Sequence, residues 1–71
     1  MPYTTNSDLP ASVRRHLPRH AQDIYRAAFN SAFARYGAGR EATAHRIAWA
    51  AVKRRYVQDA DHFWVERAKA A

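Results

Sequence analysis

The sequence predicts a small, mostly α-helical single domain over residues 1–71. It has three main helices, one short and two long and packed antiparallel, with a minimal β pairing between the termini. Three observations carry this reading. Two Leu-Pro units, Asp8-Leu9-Pro10 and His16-Leu17-Pro18, punctuate the first twenty residues. Two long stretches after them repeat apolar residues at spacings of three and four. Only Gly37-Ala38-Gly39 lies between those stretches, and so short a connection forces neighbouring helices to run antiparallel.

Residues 1–8 read as extended or loop, because Pro2, Asn6, Ser7 and Asp8 disfavour early helix. Leu9 precedes a proline and is pushed out of the helical region. Pro10 suits a first helical position, where its missing N–H costs nothing. A short helix is therefore expected over about 10–16, with Leu9, Val13 and Leu17 on one side. Pro18 stops it and starts the next helix, over about 18–36. There Ala21, Ile24, Tyr25, Ala28, Phe29, Ala32, Phe33 and Tyr36 make a broad inward face. Gly37 suits the left-handed position that closes a helix.

The third helix is expected from residue 40 or 41 to 57. Glu41 at its start and Lys53, Arg54 and Arg55 near its end complement the macrodipole. Ala44, Ile47, Ala48, Ala51, Val52 and Tyr56 form its predicted inner face, with Trp49 at the edge. Gln58-Asp59-Ala60-Asp61 is turn-prone, and Phe63-Trp64-Val65 is a short β-prone run. That run is expected to pair with Tyr3-Thr4-Thr5, a short final helix being the competing reading. Residues 66–71 read as a fraying tail. The predicted core comprises Leu9, Leu17, Ile24, Tyr25, Phe29, Phe33, His45, Ala48, Trp49, Val52 and Tyr56.

Composition narrows the functional classes. A chain of 71 residues buries only about 60% of its unfolded surface, and its nine aromatics supply the bulk a small core needs. There is no cysteine, which excludes disulfides and thiolate metal sites and suits a reducing cytosol. The N-terminus has no basic and apolar leader pattern, and no run reaches the roughly 20 apolar residues of a membrane span. A cytoplasmic protein is expected.

No nucleophile elbow and no glycine-rich phosphate loop is present, and the six acids are scattered. An enzyme is not expected, nor a cofactor. His16 and His20 are four apart, but Pro18 between them breaks the helix that would aim both at one metal. His62 beside Asp59 and Asp61 makes only a thin cluster. His45 reads as a packed core histidine.

The net charge of +6 is spread over both halves and makes the basic surface the best functional candidate. Arg46, Lys53 and Arg54 point away from the inner face of the third helix, with Arg55 near its edge. Arg14, Arg15 and Arg19 gather around Pro18. These residues form one patch or two. The charge reads either as a solvated surface that keeps the protein in solution or as a match for an acidic partner, namely nucleic acid, an anionic membrane surface or an acidic protein face. Any nucleic-acid binding would be sequence-independent and salt-sensitive.

In order and spacing, several units resemble the ChaB family of small bacterial and viral proteins, whose members are described as cation transport regulators. The units are Met1-Pro2-Tyr3, Asp8-Leu9-Pro10, Leu17-Pro18, His20-Ala21-Gln22-Asp23-Ile24-Tyr25, Ala28-Phe29-Asn30-Ser31-Ala32, Glu41-Ala42-Thr43-Ala44-His45 and Ala48-Trp49-Ala50-Ala51-Val52-Lys53, with Tyr56 and Trp64. The resemblance covers nearly the whole chain. It implies three main helices with a small sheet from the termini, and an accessory role beside a calcium or sodium/proton antiporter, through interaction with its cytosolic face. Some relatives resemble nucleic-acid-binding proteins instead. Family members often carry a longer, acid-rich loop between the second and third helices, where this chain has Gly37-Ala38-Gly39-Arg40. A cation-sensing role for that loop would not extend to this protein, and the basic sign favours an anionic partner.

Overall fold

The computed structural model describes residues 3–61 and 63–67. Helix α1 spans Ala11–His16, α2 Arg19–Tyr36 and α3 Glu41–Arg55. Strands β1, Tyr56–Gln58, and β2, Trp64–Glu66, close the chain as an antiparallel hairpin. Short 3-10 turns cover Asn6–Asp8 and Ala38–Arg40.

Both Leu-Pro units act alike. Pro10 and Pro18 sit one residue before their helices, with extended ψ of 145° and 165°. Leu9 and Leu17 are extended as well, so each unit turns the chain and drives a leucine into the core. Gln22 ties the units together, its Nε2 donating to the carbonyls of Leu17 and Arg14. These carbonyls at the end of α1 would otherwise have no helical partner. At the far end of α2, Gly37 takes φ 85°, a left-handed turn that glycine adopts without a Cβ clash. Its N–H donates to the Phe33 carbonyl at 2.8 Å.

The core is the seam between α2 and α3, closed along one side by Leu9, Val13 and Leu17. Helix α2 contributes Ala21, Tyr25, Phe29 and Ala32; helix α3 contributes Ala44, Ala48 and Val52. Large faces small: the two α3 alanines have no exposed surface, which lets the α2 rings reach across to His45 and Trp49. The N-terminal segment is pinned by Asn30. Tyr3 N–H donates to its Oδ1 and its Nδ2 donates to the Tyr3 carbonyl, both at 2.8 Å.

Several expectations are corrected. The strand at 64–66 pairs with Tyr56–Gln58, not with residues 3–5; the backbone of Tyr3 is already taken by Asn30. Helix α3 stops at Arg55, and Tyr56 enters the core from a strand rather than from a helix face. Residues 6–8 form a turn, in which Thr5 N–H donates to the Asp8 carboxylate. Ile47 is exposed: at about 100° per residue it lies about 100° from the centre of the Ala44–Ala48–Val52 stripe. Tyr36 is also exposed. Its angle is right, but it is the last residue of α2, at the end of the seam, where it shares an open cleft with Ile47. Of the tail over 66–71, Glu66 is in β2 and residues 68–71 lie outside the described residues, as does His62.

Asp59 builds the hairpin turn. Its Oδ1 accepts from the N–H groups of Asp61 and Phe63, each at 2.9 Å, while its own N–H donates to the Phe63 carbonyl. Asp59→Ala should cost about 1–2 kcal/mol and act locally. Amide exchange at Val57 and Val65 should quicken while α2 keeps its protection. Unchanged exchange at the two valines would show that the turn closes without the carboxylate.

Candidate functional site

The antiparallel seam brings the start of α2 beside the end of α3. The Tyr56 hydroxyl hydrogen-bonds His20 Nδ1 at 3.1 Å, and the two rings meet edge to face. Arg19 and His20 therefore share one end of the molecule with Lys53, Arg54 and Arg55. The Gln22 bonds hold the last turn of α1, with Arg14 and Arg15, against the same end. Segments 14–20 and 53–55 thus lie at the same end of the antiparallel pair, here called the basic pole.

Its members differ. Arg15, Arg19, Lys53, Arg54 and Arg55 are exposed. Arg14 is exposed too, but its Nε folds back to the Leu9 carbonyl at 3.0 Å, so part of its role is to brace α1. Arg46 lies apart. It shares a helix face with Lys53, but seven residues place it about 10 Å further along the axis. Arg67 was not singled out from the sequence. It joins the pole because β2 carries it back to α3: its N–H donates to the Arg55 carbonyl at 2.7 Å and its Nε to the Lys53 carbonyl at 2.9 Å. Only the hairpin pairing reveals this; no local pattern marks Arg67.

Two acids temper the pole. Burial pushes the Tyr56 hydroxyl pKa up; Glu66 adds to the rise, Arg55 opposes it and Asp23 adds a little more. Asp23 is engaged with Asn6 Nδ2 at 2.6 Å and lies 3.9 Å from Arg26.

The remaining singled-out residues hold this frame. Leu9, Leu17, Tyr25, Phe29, Ala48, Val52 and Tyr56 are buried, while Ile24, Phe33, His45 and Trp49 are half-buried. The Tyr25 hydroxyl hydrogen-bonds His45 Nδ1, and burial pushes its pKa up to about 12, with Tyr3 adding to the rise. His16 Nδ1 meets the Ser12 carbonyl at 2.7 Å. Among the described residues no group of three His, Cys, Asp or Glu is placed to hold a metal ion. No helix among them is long and apolar enough to cross a membrane.

Comparison with known proteins adds a family. The ChaB family model matches residues 9–67. The protein named "Putative cation transport regulator ChaB" of Escherichia coli (strain K12) is 54% identical over 72 residues, spanning 90% of this chain and 95% of the relative. The same-named protein of Shigella flexneri matches equally. Among solved structures, the NMR solution structure of a protein described in the same words superposes with a TM-score of 0.84 at 51% identity. It covers 94% of this chain and 100% of that one.

Proposed function

The chain belongs to the ChaB family, and from that membership we propose that it is a non-enzymatic accessory protein. On this reading it regulates cation transport by docking its basic pole on an acidic surface of a transport protein. The observation that carries the proposal is the assembly of the pole. Residues from the end of α1, the start of α2, the end of α3 and the residue after β2 converge on one end of the antiparallel pair. The names of the relatives supply the process. A calcium or sodium/proton antiporter, met at its cytosolic face, is the partner this reading favours.

Such docking is steered by charge, so it should weaken as salt shortens the Debye length from about 30 Å at 0.01 M to about 3 Å at 1 M. The test uses everted membrane vesicles carrying a calcium–proton antiporter, with exchange followed by a pH-sensitive dye. Added protein should change the exchange rate. The triple variant Arg15→Glu, Arg19→Glu, Arg54→Glu should lose that effect while melting at nearly the wild-type temperature, because all three side chains are exposed. A folded triple variant as active as the wild type would sink the proposal. If instead the vesicles do not respond and the pole binds a fluorescent DNA duplex in a salt-sensitive way, the partner is a phosphate backbone.

A further inference from the structure

We infer that the outer edge of β2 captures an extended acidic segment of the protein partner as a third, antiparallel strand. The inference rests on the docking reading above and names the chemistry of what is docked.

The hairpin's own bonding leaves that edge open. Arg67 N–H reaches the Arg55 carbonyl and Asp59 N–H the Phe63 carbonyl. In the register Val57↔Val65, hydrogen-bonded and non-hydrogen-bonded pairs alternate along an antiparallel ladder. The backbone groups of Val57 and Val65 therefore face each other. Those of Trp64 and Glu66 point outward from β2, and they meet no backbone or side-chain partner among the described residues. The outer edge of β1 is less available, since Tyr56 N–H donates back to the Val52 carbonyl.

The side chains say what would fit. The period of two puts Tyr56 and Trp64 on the inner face, where Trp64 lies against Trp49 with ring centroids 5.6 Å apart. The outer face then carries Arg55 beside Arg67, Val57 beside Val65, and Phe63 toward the turn. Val57 and Val65 are each 42% exposed and Phe63 61%. An apolar floor next to an unpaired strand edge is a feature that soluble proteins normally blunt or cover. Here the floor ends in two guanidinium groups, with Lys53 alongside. Charge decides the occupant. A second copy of this chain would bring another net +6 toward the same face, whereas an acidic segment gains from it. Main-chain bonds to an open edge supply affinity in such strand addition, and alternate side chains supply selectivity. An antiparallel strand that places an acid beside Arg67 and apolar residues beside Val65 and Phe63 reads acid, any, apolar, any, apolar from its N-terminus.

The test uses two fluorescein-labelled peptides and the intact protein. One contains glutamate, threonine, valine, threonine, valine in that order; the other is its reverse. The first should bind more tightly, with amide NMR shifts centred on Trp64 and Glu66. Glu66→Pro removes one outward N–H and no hairpin bond, and should weaken binding about tenfold. Val65→Glu keeps the backbone and should weaken it as well; thermal melts establish that both variants are folded. Undiminished binding in both variants, with shifts at Arg15 and Arg19 instead, would overturn the edge proposal and leave the docking reading standing. Failure of the first peptide to bind would also overturn it, as would a protein dimer abolished by Glu66→Pro. Edge binding together with unresponsive vesicles would remove the transporter and keep the edge.

Discussion

Phe29→Ala is expected to lower the stability of the protein by about 3–5 kcal/mol, the range for truncating a buried phenylalanine. Folded domains are stable by only about 5–15 kcal/mol, and a chain this short sits toward the lower end, so much of the population should unfold. The ring is 1% exposed. It stands at the crossing of every structural layer: Tyr3 lies 4.7 Å away, His45 4.7 Å, Phe33 6.0 Å and Tyr25 6.5 Å between centroids. Truncation thus removes packing to the N-terminal segment and to α3 at the same time. The buried α3 residues of the seam, Ala44 and Ala48, are small and have no side-chain length to reach into the void. A urea titration reads the effect as a lower midpoint at nearly constant slope. A loss below about 1 kcal/mol would mean that the seam collapses around the missing ring. Trp49→Ala should cost less, because Trp49 is half-buried at the margin of the seam.

Alkaline pH should destabilise the protein steeply. In the fold, burial holds the Tyr25 hydroxyl protonated up to about 12; in the unfolded chain the same group ionises near pH 10. The unfolded state therefore releases its proton first. The stabilising contribution is whole below pH 10 and is lost as pH rises to about 12. Two units correspond to about 2–3 kcal/mol for Tyr25. Tyr3 and Tyr56 are raised as well, chiefly by burial, so they act in the same direction. Stability measured by urea unfolding across this range should fall, and Tyr25→Phe should flatten part of the fall, because phenylalanine has no proton to lose. An equally steep fall in Tyr25→Phe would assign the effect to other groups. The variant itself should start less stable, since His45 Nδ1 loses its hydroxyl partner.

What the sequence made legible follows from the length of each pattern. Helix α2 runs for five turns, and Ala21, Tyr25, Phe29 and Ala32 repeat often enough to define a stripe. Helix α3 was harder. Its stripe of Ala44, Ala48 and Val52 is narrow and small, so spacing alone drew Ile47 into it. The end of α3 was misread because Tyr56 and Val57 continue its helical spacing equally well as β-formers. Asp59 breaks the tie: three residues on either side of its turn pair with each other, and a strand of three residues has no periodicity to detect. The same pairing explains the basic pole. Segments 14–19 and 53–55 were visible as charge clusters, but their convergence depends on the antiparallel seam, and the arrival of Arg67 on the hairpin.

The contact between Trp49 and Trp64 has an optical consequence. These are the chain's only two tryptophans, one on α3 and one on β2, with ring centroids 5.6 Å apart. Trp49 meets both Trp64 at 5.6 Å and the Tyr25 ring at 5.3 Å. Their emission and near-ultraviolet dichroism thus register whether the hairpin is seated on the helices. The protein carries an intrinsic, label-free gauge at the joint between its helices and its hairpin, and anything that lifts or clamps the hairpin writes a signal into it.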